Sequence, residues 1–240
     1  MKMKKIILLF SLALLISSCG DAVEKYKDGL YENGTFYFYG GGTGTGTLAK
    51  GQRSGEWTFF DKNQKLAAKG SYQDGKEEGP WKFWYDNGNL KREGAFAAGL
   101  QHGHWKTYFA DETLESEGDF KQGEQLGIWQ FFFGNAQKRS QGEMAKDKRV
   151  GEWKFWFNNG EPKELRIYNG EKNILQSSWQ ENGTPMVVDG TGEYEYWEYG
   201  LRREKGAYKD GLMDGKWTFW DENGVVVNSG FFENGEKIEE

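Results

Sequence analysis

Alternating apolar and polar positions recur along most of the chain in short runs separated by glycine-rich turns. One such run, Trp81 to Tyr85, is rich in aromatic residues, which favour β-strands. Asp86-Asn87-Gly88 follows, and Asn-Gly predicts a hairpin turn because it tolerates positive φ at both central positions. The chain then returns from Leu90 to about Phe96, and a second turn is expected from Gly99 to Gly103. No apolar stripe of helical period survives, so each unit is predicted to be a β-hairpin.

The hairpin unit repeats along the chain with a fixed period. Its register is defined by the frame Gly-x-Trp, which occurs in five copies spaced 24 residues apart, with tryptophans at Trp57, Trp81, Trp105, Trp129 and Trp153. The frame returns at Trp217 and, with tyrosine in place of tryptophan, at Tyr194. Two turns in each unit leave room for two strands of ordinary length. The sequence therefore predicts an all-β fold, an elongated open antiparallel sheet of stacked β-hairpin repeats.

Alternation within each strand assigns the side chains to two faces. The first face carries the repeated tryptophans and the residues two positions further on, such as Phe59 and Phe83. The second face carries an aromatic stripe, three positions after each tryptophan, that consists of Phe60, Trp84, Tyr108, Phe132, Trp156 and Trp220. Glycine recurs in the middle of the return strands, where a ring from the next strand is expected to cover it, at Gly70, Gly94, Gly118, Gly142 and Gly230.

Three segments depart from the regular unit. The repeat array is expected to occupy residues 29–240, preceded by a short tether at residues 19–28. The Gly-Thr-rich stretch from Gly40 to Thr47 is either a degraded first repeat or a flexible linker. The unit at residues 174–191 is shorter than the others, which indicates either a defective repeat that kinks the array or a domain boundary.

Residues 1–18 predict the signal peptide of a lipoprotein. Three lysines precede an apolar run from Ile6 to Ile16, which is too short to span a bilayer comfortably and is typical of a secretory signal. The following Ile16-Ser17-Ser18-Cys19 resembles the bacterial lipobox, in which the cysteine thiol is acylated and becomes the new N-terminus. The alternatives are an ordinary signal peptide with an incidental cysteine and a short membrane anchor. Lipid on Cys19 would tether the protein to a membrane of the cell envelope, with the inner and outer membranes both open.

Composition narrows the choice of partners. The chain has 35 glycines and 17% aromatic residues, yet only 37% of its residues are hydrophobic, which favours a thin β-structure over a thick aliphatic core. Loss of three lysines with the signal peptide lowers the net charge from −6 to −9. An acidic surface disfavours nucleic acid and anionic headgroups, so the expected membrane link is the lipid itself.

Candidate catalytic and metal sites are weak. The two histidines, His102 and His104, are expected in a solvated turn, and zinc would need further ligands that the sequence does not offer nearby. The serines lie at positions that vary between repeats, and none is part of a nucleophile elbow. The Gly-Thr run near Gly44 lacks the lysine of a phosphate-binding loop. No enzymatic activity, cofactor or metal is expected.

The repeat resembles the MORN-repeat variant common in bacteria. That variant follows roughly the pattern Gly-x-Trp-x-x-Tyr-x-x-Asn-Gly-x-Leu and then Gly-x-Tyr-x-x-Gly, to which Gly79-Pro80-Trp81 through Leu90 corresponds. The resemblance implies hairpins stacked into a twisted antiparallel sheet. It also implies a role in interaction, since proteins of this kind include scaffolds, proposed lipid binders and antitoxins of toxin–antitoxin pairs. A lipoprotein signal would separate the chain from a cytoplasmic toxin, so the expected function is a protein-interaction scaffold at the envelope, including an immunity-like role. The alternative is a glycan-binding surface lipoprotein that uses the rings of the aromatic stripe.

Overall fold

The computed structural model of the protein describes residues 30–38, 41–170 and 172–239. These ranges contain nineteen β-strands and confirm the predicted all-β class. The strands are β1 (Leu30–Tyr37), β2 (Thr43–Ala49), β3 (Gln52–Phe60), β4 (Leu66–Gln73), β5 (Lys76–Trp84), β6 (Leu90–Ala97), β7 (Leu100–Tyr108), β8 (Leu114–Lys121), β9 (Glu124–Phe132), β10 (Lys138–Ala145), β11 (Lys148–Trp156), β12 (Pro162–Tyr168), β13 (Asn173–Trp179), β14 (Pro185–Val187), β15 (Gly192–Glu198), β16 (Leu201–Lys209), β17 (Leu212–Trp220), β18 (Val226–Glu233) and β19 (Glu236–Glu239).

Strands that are consecutive in the chain are also neighbours in the sheets. β1 to β14 form one 14-stranded antiparallel sheet, and β15 to β19 form a second sheet of five strands. This meander of hairpins is the open antiparallel architecture that the repeat pattern predicts. β2 pairs with β3 along its whole length, so residues 43–47 of the Gly-Thr-rich stretch belong to a strand rather than to a linker.

Each regular repeat contributes one strand of nine residues and one of eight, as in β5 and β6. The long strand begins well before the repeated tryptophan, since Lys76 precedes Trp81 by five residues. The turn predicted from Gly99 to Gly103 is therefore wrong. The chain turns at Ala98–Gly99, β7 begins at Leu100, and Gly103 lies inside that strand.

The two ends of the hairpins use different turns. At the Asn-Gly end, the Gly88 amide donates to the Tyr85 carbonyl at 2.8 Å, and Gly88 alone takes a left-handed φ of 91°. The hairpin turn predicted at Asn87-Gly88 is therefore confirmed, although Asn87 stays outside the left-handed region and its side chain accepts the Asn89 backbone amide at 3.0 Å. Two consecutive positive φ values occur instead at the opposite end, at Ala98 (51°) and Gly99 (85°).

Glycine has two separate tasks in the repeat. Gly79 of the Gly-x-Trp frame has a φ of 68°, the register with β4 shifts beside it, and nothing lies within 4 Å of the place where a Cβ would stand. Its backbone conformation is what requires glycine. Gly94, in the middle of β6, has an ordinary extended conformation, but a Cβ there would overlap the indole ring of Trp105. Close approach is what requires glycine at that position.

The ring predicted above the mid-strand glycines is confirmed at four of the five positions, Gly70, Gly94, Gly118 and Gly142. Trp105 is 2% exposed, covers Gly94, and donates its indole N–H to the Ala95 carbonyl at 3.0 Å. The ring of Phe96 meets Trp105 edge-on at 5.1 Å, and Phe83 stacks at 6.3 Å. The same indole-to-carbonyl bond, at 3.0–3.2 Å, is made by Trp57, Trp81, Trp129, Trp153 and Trp217. The first face is thus occupied by aromatic packing within the repeats.

The irregular unit contains the boundary between the two sheets. The first sheet ends at Val187 after a strand of only three residues, and the second begins at Gly192. The Leu175 amide donates to the Gly211 carbonyl at 2.9 Å, which ties β13 to the second sheet. The residues buried at this junction are Leu175, Val187, Tyr194, Tyr208 and Trp217.

Candidate functional site

The predicted lipid attachment site, Cys19, and the signal peptide at residues 1–18 lie outside the described residues. Over residues 30–38, 41–170 and 172–239, no helical segment has the length and hydropathy needed to span a bilayer. Lipid anchoring therefore stays a prediction from the leader sequence.

The histidines lie in strand β7 and not in the predicted turn. His104 Nδ1 is 3.0 Å from Asp119 Oδ1, and His104 Nε2 is 3.4 Å from Glu117 Oε2. Both ring nitrogens are thus engaged with carboxylates of the neighbouring strand. Within the described part of the chain, no group of three or more His, Cys, Asp and Glu side chains is arranged to hold a metal ion.

A row of polar side chains crosses the second face perpendicular to the strands. Cross-strand pairing aligns one residue from each of nine neighbouring strands, and we call this set the polar row: Thr58, Lys69, Lys82, Glu93, Lys106, Glu117, Gln130, Gln141 and Lys154. Lys82 Nζ lies 3.1 Å from Glu93 Oε2, and Lys106 Nζ lies 3.6 Å from Glu117 Oε2. Partly exposed ion pairs of this kind add little stability, so the row is mainly an ordered surface of mixed charge.

The aromatic stripe lies two residues along each strand from the polar row. All six predicted positions are half-buried, and some of the rings are held by neighbouring side chains. The Tyr108 hydroxyl donates to Glu93 Oε1 at 2.9 Å, and burial together with this bond raises the pKa of Tyr108 to about 12. The guanidinium of Arg202 lies 5.5 Å from the ring centre of Trp220. These contacts reduce the ring surface that the stripe can offer to a ligand.

A cavity of about 390 Å³ opens where the two sheets meet. Its walls include Trp179 at the end of β13, and Tyr196 and Trp197 on β15. Gln180 and Asn182, in the turn after β13, bring amide groups to the same cavity. The junction therefore combines aromatic rings with hydrogen-bonding side chains in a concave site.

The two tryptophans of this cavity were not predicted as contact residues, although the repeat register contained the signal. Trp197 follows Tyr194 by three positions, the same interval that places each member of the aromatic stripe after its tryptophan. Trp179 precedes Asn182 by three positions, as Trp84 precedes the Asn-Gly turn of its own unit. Both are thus stripe positions of irregular units. Because the 24-residue spacing is not kept in this segment, a search based on the period alone does not find these two tryptophans.

Glu164 is the centre of a buried polar cluster behind the cavity. It accepts Arg166 Nε at 2.6 Å and the Tyr194 hydroxyl at 2.8 Å. Burial opposes the charge on Arg166, but the hydrogen bond and the attraction of Glu164 outweigh it and raise the pKa of Arg166. Burial, followed by repulsion from Glu164, raises the pKa of both Tyr194 and Glu204. The junction is therefore held by polar contacts as well as by its apolar core.

Comparison with known families identifies the repeat. Five segments match the family described as MORN repeat variant, and each contains one Gly-x-Trp frame: residues 53–74, 77–97, 101–122, 149–169 and 213–234. The protein thus contains five segments that are similar to the MORN repeat variant. No curated protein matches the chain.

MORN repeats often serve as modules that contact proteins or membranes. The matched segments supply most of the polar row. The cavity residues Trp179, Tyr196 and Trp197 lie between residues 170 and 212, outside the matched segments. Most of the cavity lining thus lies outside the matched segments, while Phe157, Lys163 and Glu164 lie within the segment at residues 149–169.

Proposed function

We propose that the protein is a lipid-anchored interaction scaffold of the bacterial cell envelope. The leader sequence supports the anchor, because a charged start, a short apolar run and small residues all precede Cys19. The mature chain would carry a net charge of −9. Such a chain gains little from anionic headgroups, which leaves the lipid as the membrane link.

The difference between the two faces of the sheet is the observation that supports the proposed scaffold function. The first face is filled by its own tryptophans, which are buried and bonded to backbone carbonyls. The second face presents the polar row, an ordered surface that extends over nine strands. Long repeat surfaces of this kind suit extended contact with a protein partner. An immunity-like role against a toxin acting in the envelope is one form of this function.

Anchoring is tested by Cys19→Ala. The variant should leave the membrane fraction and lose incorporation of labelled fatty acid, because the acylated thiol is gone. Tyr37→Ala, at an exposed side chain of β1, serves as the control and should remain at the membrane with its label. Label that persists on the Cys19 variant would contradict lipidation.

The scaffold is tested by a matched pair of Gln→Arg substitutions. Gln130 lies in the polar row, whereas Gln122 is exposed in the turn between β8 and β9. The lipidated protein is crosslinked in cells, captured and analysed by mass spectrometry. A partner of the second face should be lost with Gln130→Arg and kept with Gln122→Arg, because only the first change alters the row. A set of partners that neither change affects would contradict binding along this face.

Saccharide binding is the second candidate function, and one observation favours it. Recognition of a sugar needs an exposed ring beside amide or carboxylate side chains. Trp197 meets this requirement, since it is 51% exposed and lies beside Glu195, whereas the six rings of the aromatic stripe are half-buried. The candidate saccharide-binding site is therefore the junction of the two sheets and not the aromatic stripe.

A further inference from the structure

The cavity at the junction exposes aromatic rings that the repeat packing does not use. Trp197 donates its indole N–H to Glu195 Oε2 at 3.0 Å, and this bond fixes the ring in the cavity wall. Phe157 and Trp179 approach the cavity from the first sheet. A ligand that enters would therefore meet aromatic surface contributed by both sheets.

We propose that this cavity binds a neutral saccharide, an inference that rests on the second candidate function and gives it a site. A sugar ring has a face of C–H groups, which packs against an aromatic ring, and a rim of hydroxyls that need hydrogen-bond partners. Trp197 supplies the ring, and Gln180 and Asn182 supply amides. The volume of about 390 Å³ suits a small ligand, since such pockets usually measure about 300–1,000 Å³.

The charges around the cavity favour a neutral ligand over an ionic one. Of the three carboxylates that line the cavity, Glu164 and Glu195 are each paired with arginine or lysine at 2.6–3.1 Å, whereas Glu181 is an exposed residue in the turn after β13. Lys163 Nζ lies 4.4 Å from the ring centre of Tyr196, so that face already holds a cation. A cationic ligand would be repelled by Lys163, and an anionic ligand would have to separate carboxylates from their partners. A neutral saccharide is not repelled by Lys163 and does not require the carboxylates to leave their partners.

The test uses the full-length protein in a detergent without a sugar headgroup. Cellotetraose, chitotetraose, maltotetraose and xylotetraose are each examined by saturation-transfer NMR and titration calorimetry. At least one should bind, and Trp197→Ala should weaken its binding about tenfold because the stacking surface is removed. Tyr199→Ala is the matched control. Tyr199 is 95% exposed two residues away and does not line the cavity, so its removal should leave the affinity unchanged.

A second variant keeps the test independent of folding. Gln180 is exposed in a turn, so Gln180→Ala should lower the affinity while the unfolding midpoint stays that of the unaltered protein. Binding that survives Trp197→Ala would overturn the site and leave saccharide binding elsewhere on the protein. If none of the four saccharides binds, both the cavity site and the saccharide-binding function are overturned. Binding of tetramethylammonium or inorganic phosphate alone would overturn them as well. The scaffold is judged separately by Gln130→Arg, which lies outside the cavity.

Discussion

The regular block from β3 to β12 and the junction between the sheets bury their aromatic residues in different ways. In the block, each tryptophan of the Gly-x-Trp frame lies on a mid-strand glycine and bonds a backbone carbonyl, as Trp105 does with Gly94 and Ala95. At the junction, tyrosine takes the place of tryptophan, and the Tyr194 hydroxyl bonds the carboxylate of Glu164. The apolar neighbours there are aliphatic as well as aromatic, including Leu175.

This difference indicates where a repeat protein can acquire a binding site. Inside the block, every strand has a neighbour on both sides, and the stripe rings are half-buried between them. At the junction, pairing stops after the three residues of β14, and the next sheet begins at Gly192. Trp179 and Trp197 stand at stripe positions beside this gap and line a cavity. At this interrupted repeat the ring of Trp197 is 51% exposed, whereas the stripe rings of the intact repeats are half-buried.

The largest expected effect concerns a tryptophan in the middle of the block. Trp105→Ala should lower the free energy of unfolding by about 3–5 kcal/mol, because it removes a buried ring and leaves a cavity. Trp220→Ala, at a half-buried stripe position, should cost clearly less. Denaturant unfolding of both variants measures the difference. Equal and large losses would show that the stripe is as structural as the first face.

The next effect separates the two kinds of glycine. Gly94→Ala should cost about 1–3 kcal/mol, because its Cβ would overlap the Trp105 ring. Gly79→Ala should cost about 1–2 kcal/mol through its left-handed backbone alone. In a Trp105→Ala background, the penalty at Gly94 should shrink and the penalty at Gly79 should stay, as a double-mutant cycle would measure. Unchanged penalties at both positions would contradict the contact between ring and glycine.

The fold of the block was predictable because its signals repeat in register. A fixed 24-residue period identifies the strands, and the alternation around Trp105 places it opposite a mid-strand glycine. The turns were harder to predict from the sequence. Glycine serves the bulge at Gly79, the loop at Gly88 and the tight turn at Gly99, all with positive φ, and one sequence does not distinguish these uses. For that reason the second turn is predicted to extend to Gly103, whereas the chain turns at Ala98–Gly99 and β7 begins at Leu100.

The sequence predicts which face of the sheet carries the candidate site, but it does not predict where along the chain the site lies. The three-residue interval from the frame to the stripe holds for Trp197 as it does for Trp84. What exposes Trp197 is the end of strand pairing at Val187 and the start of a new sheet. Sheet termination depends on tertiary contacts such as the bond from Leu175 to Gly211, which no local pattern encodes.

The junction should show a pH-dependent effect on stability that comes from Glu204. The pKa of Glu204 is raised by burial and by Glu164, so the folded state binds its proton more tightly than the unfolded state does. Stability from this group is therefore full below the ordinary carboxyl pKa and is lost as the pH rises through the raised value. Glu204→Gln should raise the thermal midpoint at about pH 7 and change it little at about pH 4. Glu222→Gln, at an exposed turn residue, is the control and should show no such pH dependence; equal behaviour of the two variants would contradict the mechanism.

The smallest expected effect returns to the turns of the block. Ala136 takes a left-handed φ of 64° at the position that Gly88 occupies in its own repeat. That conformation costs an L-residue about 1–2 kcal/mol, of which about 0.4–1 kcal/mol is recovered because alanine restricts the unfolded chain more than glycine does. Ala136→Gly should therefore stabilise the protein by about 0.5–1 kcal/mol in denaturant unfolding. Ala110→Gly, at an exposed turn residue without positive φ, is the control and should destabilise it slightly.

Two further turns sharpen this last prediction. Gln64 and Glu112 hold the same left-handed position, with φ of 61° and 69°. The three turns belong to separate repeats, so the effects of Ala136→Gly and Glu112→Gly should add, giving about 1–2 kcal/mol for the double variant. Gln64→Gly should gain less, because it also removes the hydrogen bond at 3.2 Å that Gln64 Oε1 accepts from the Thr43 hydroxyl. A gain from Ala136→Gly that is absent at Gln64 and Glu112 would mean that their longer side chains stabilise these turns in a way that alanine does not. A loss at all three positions would contradict the strained turn itself, and with it the assignment of the two different turns to the two ends of the hairpin.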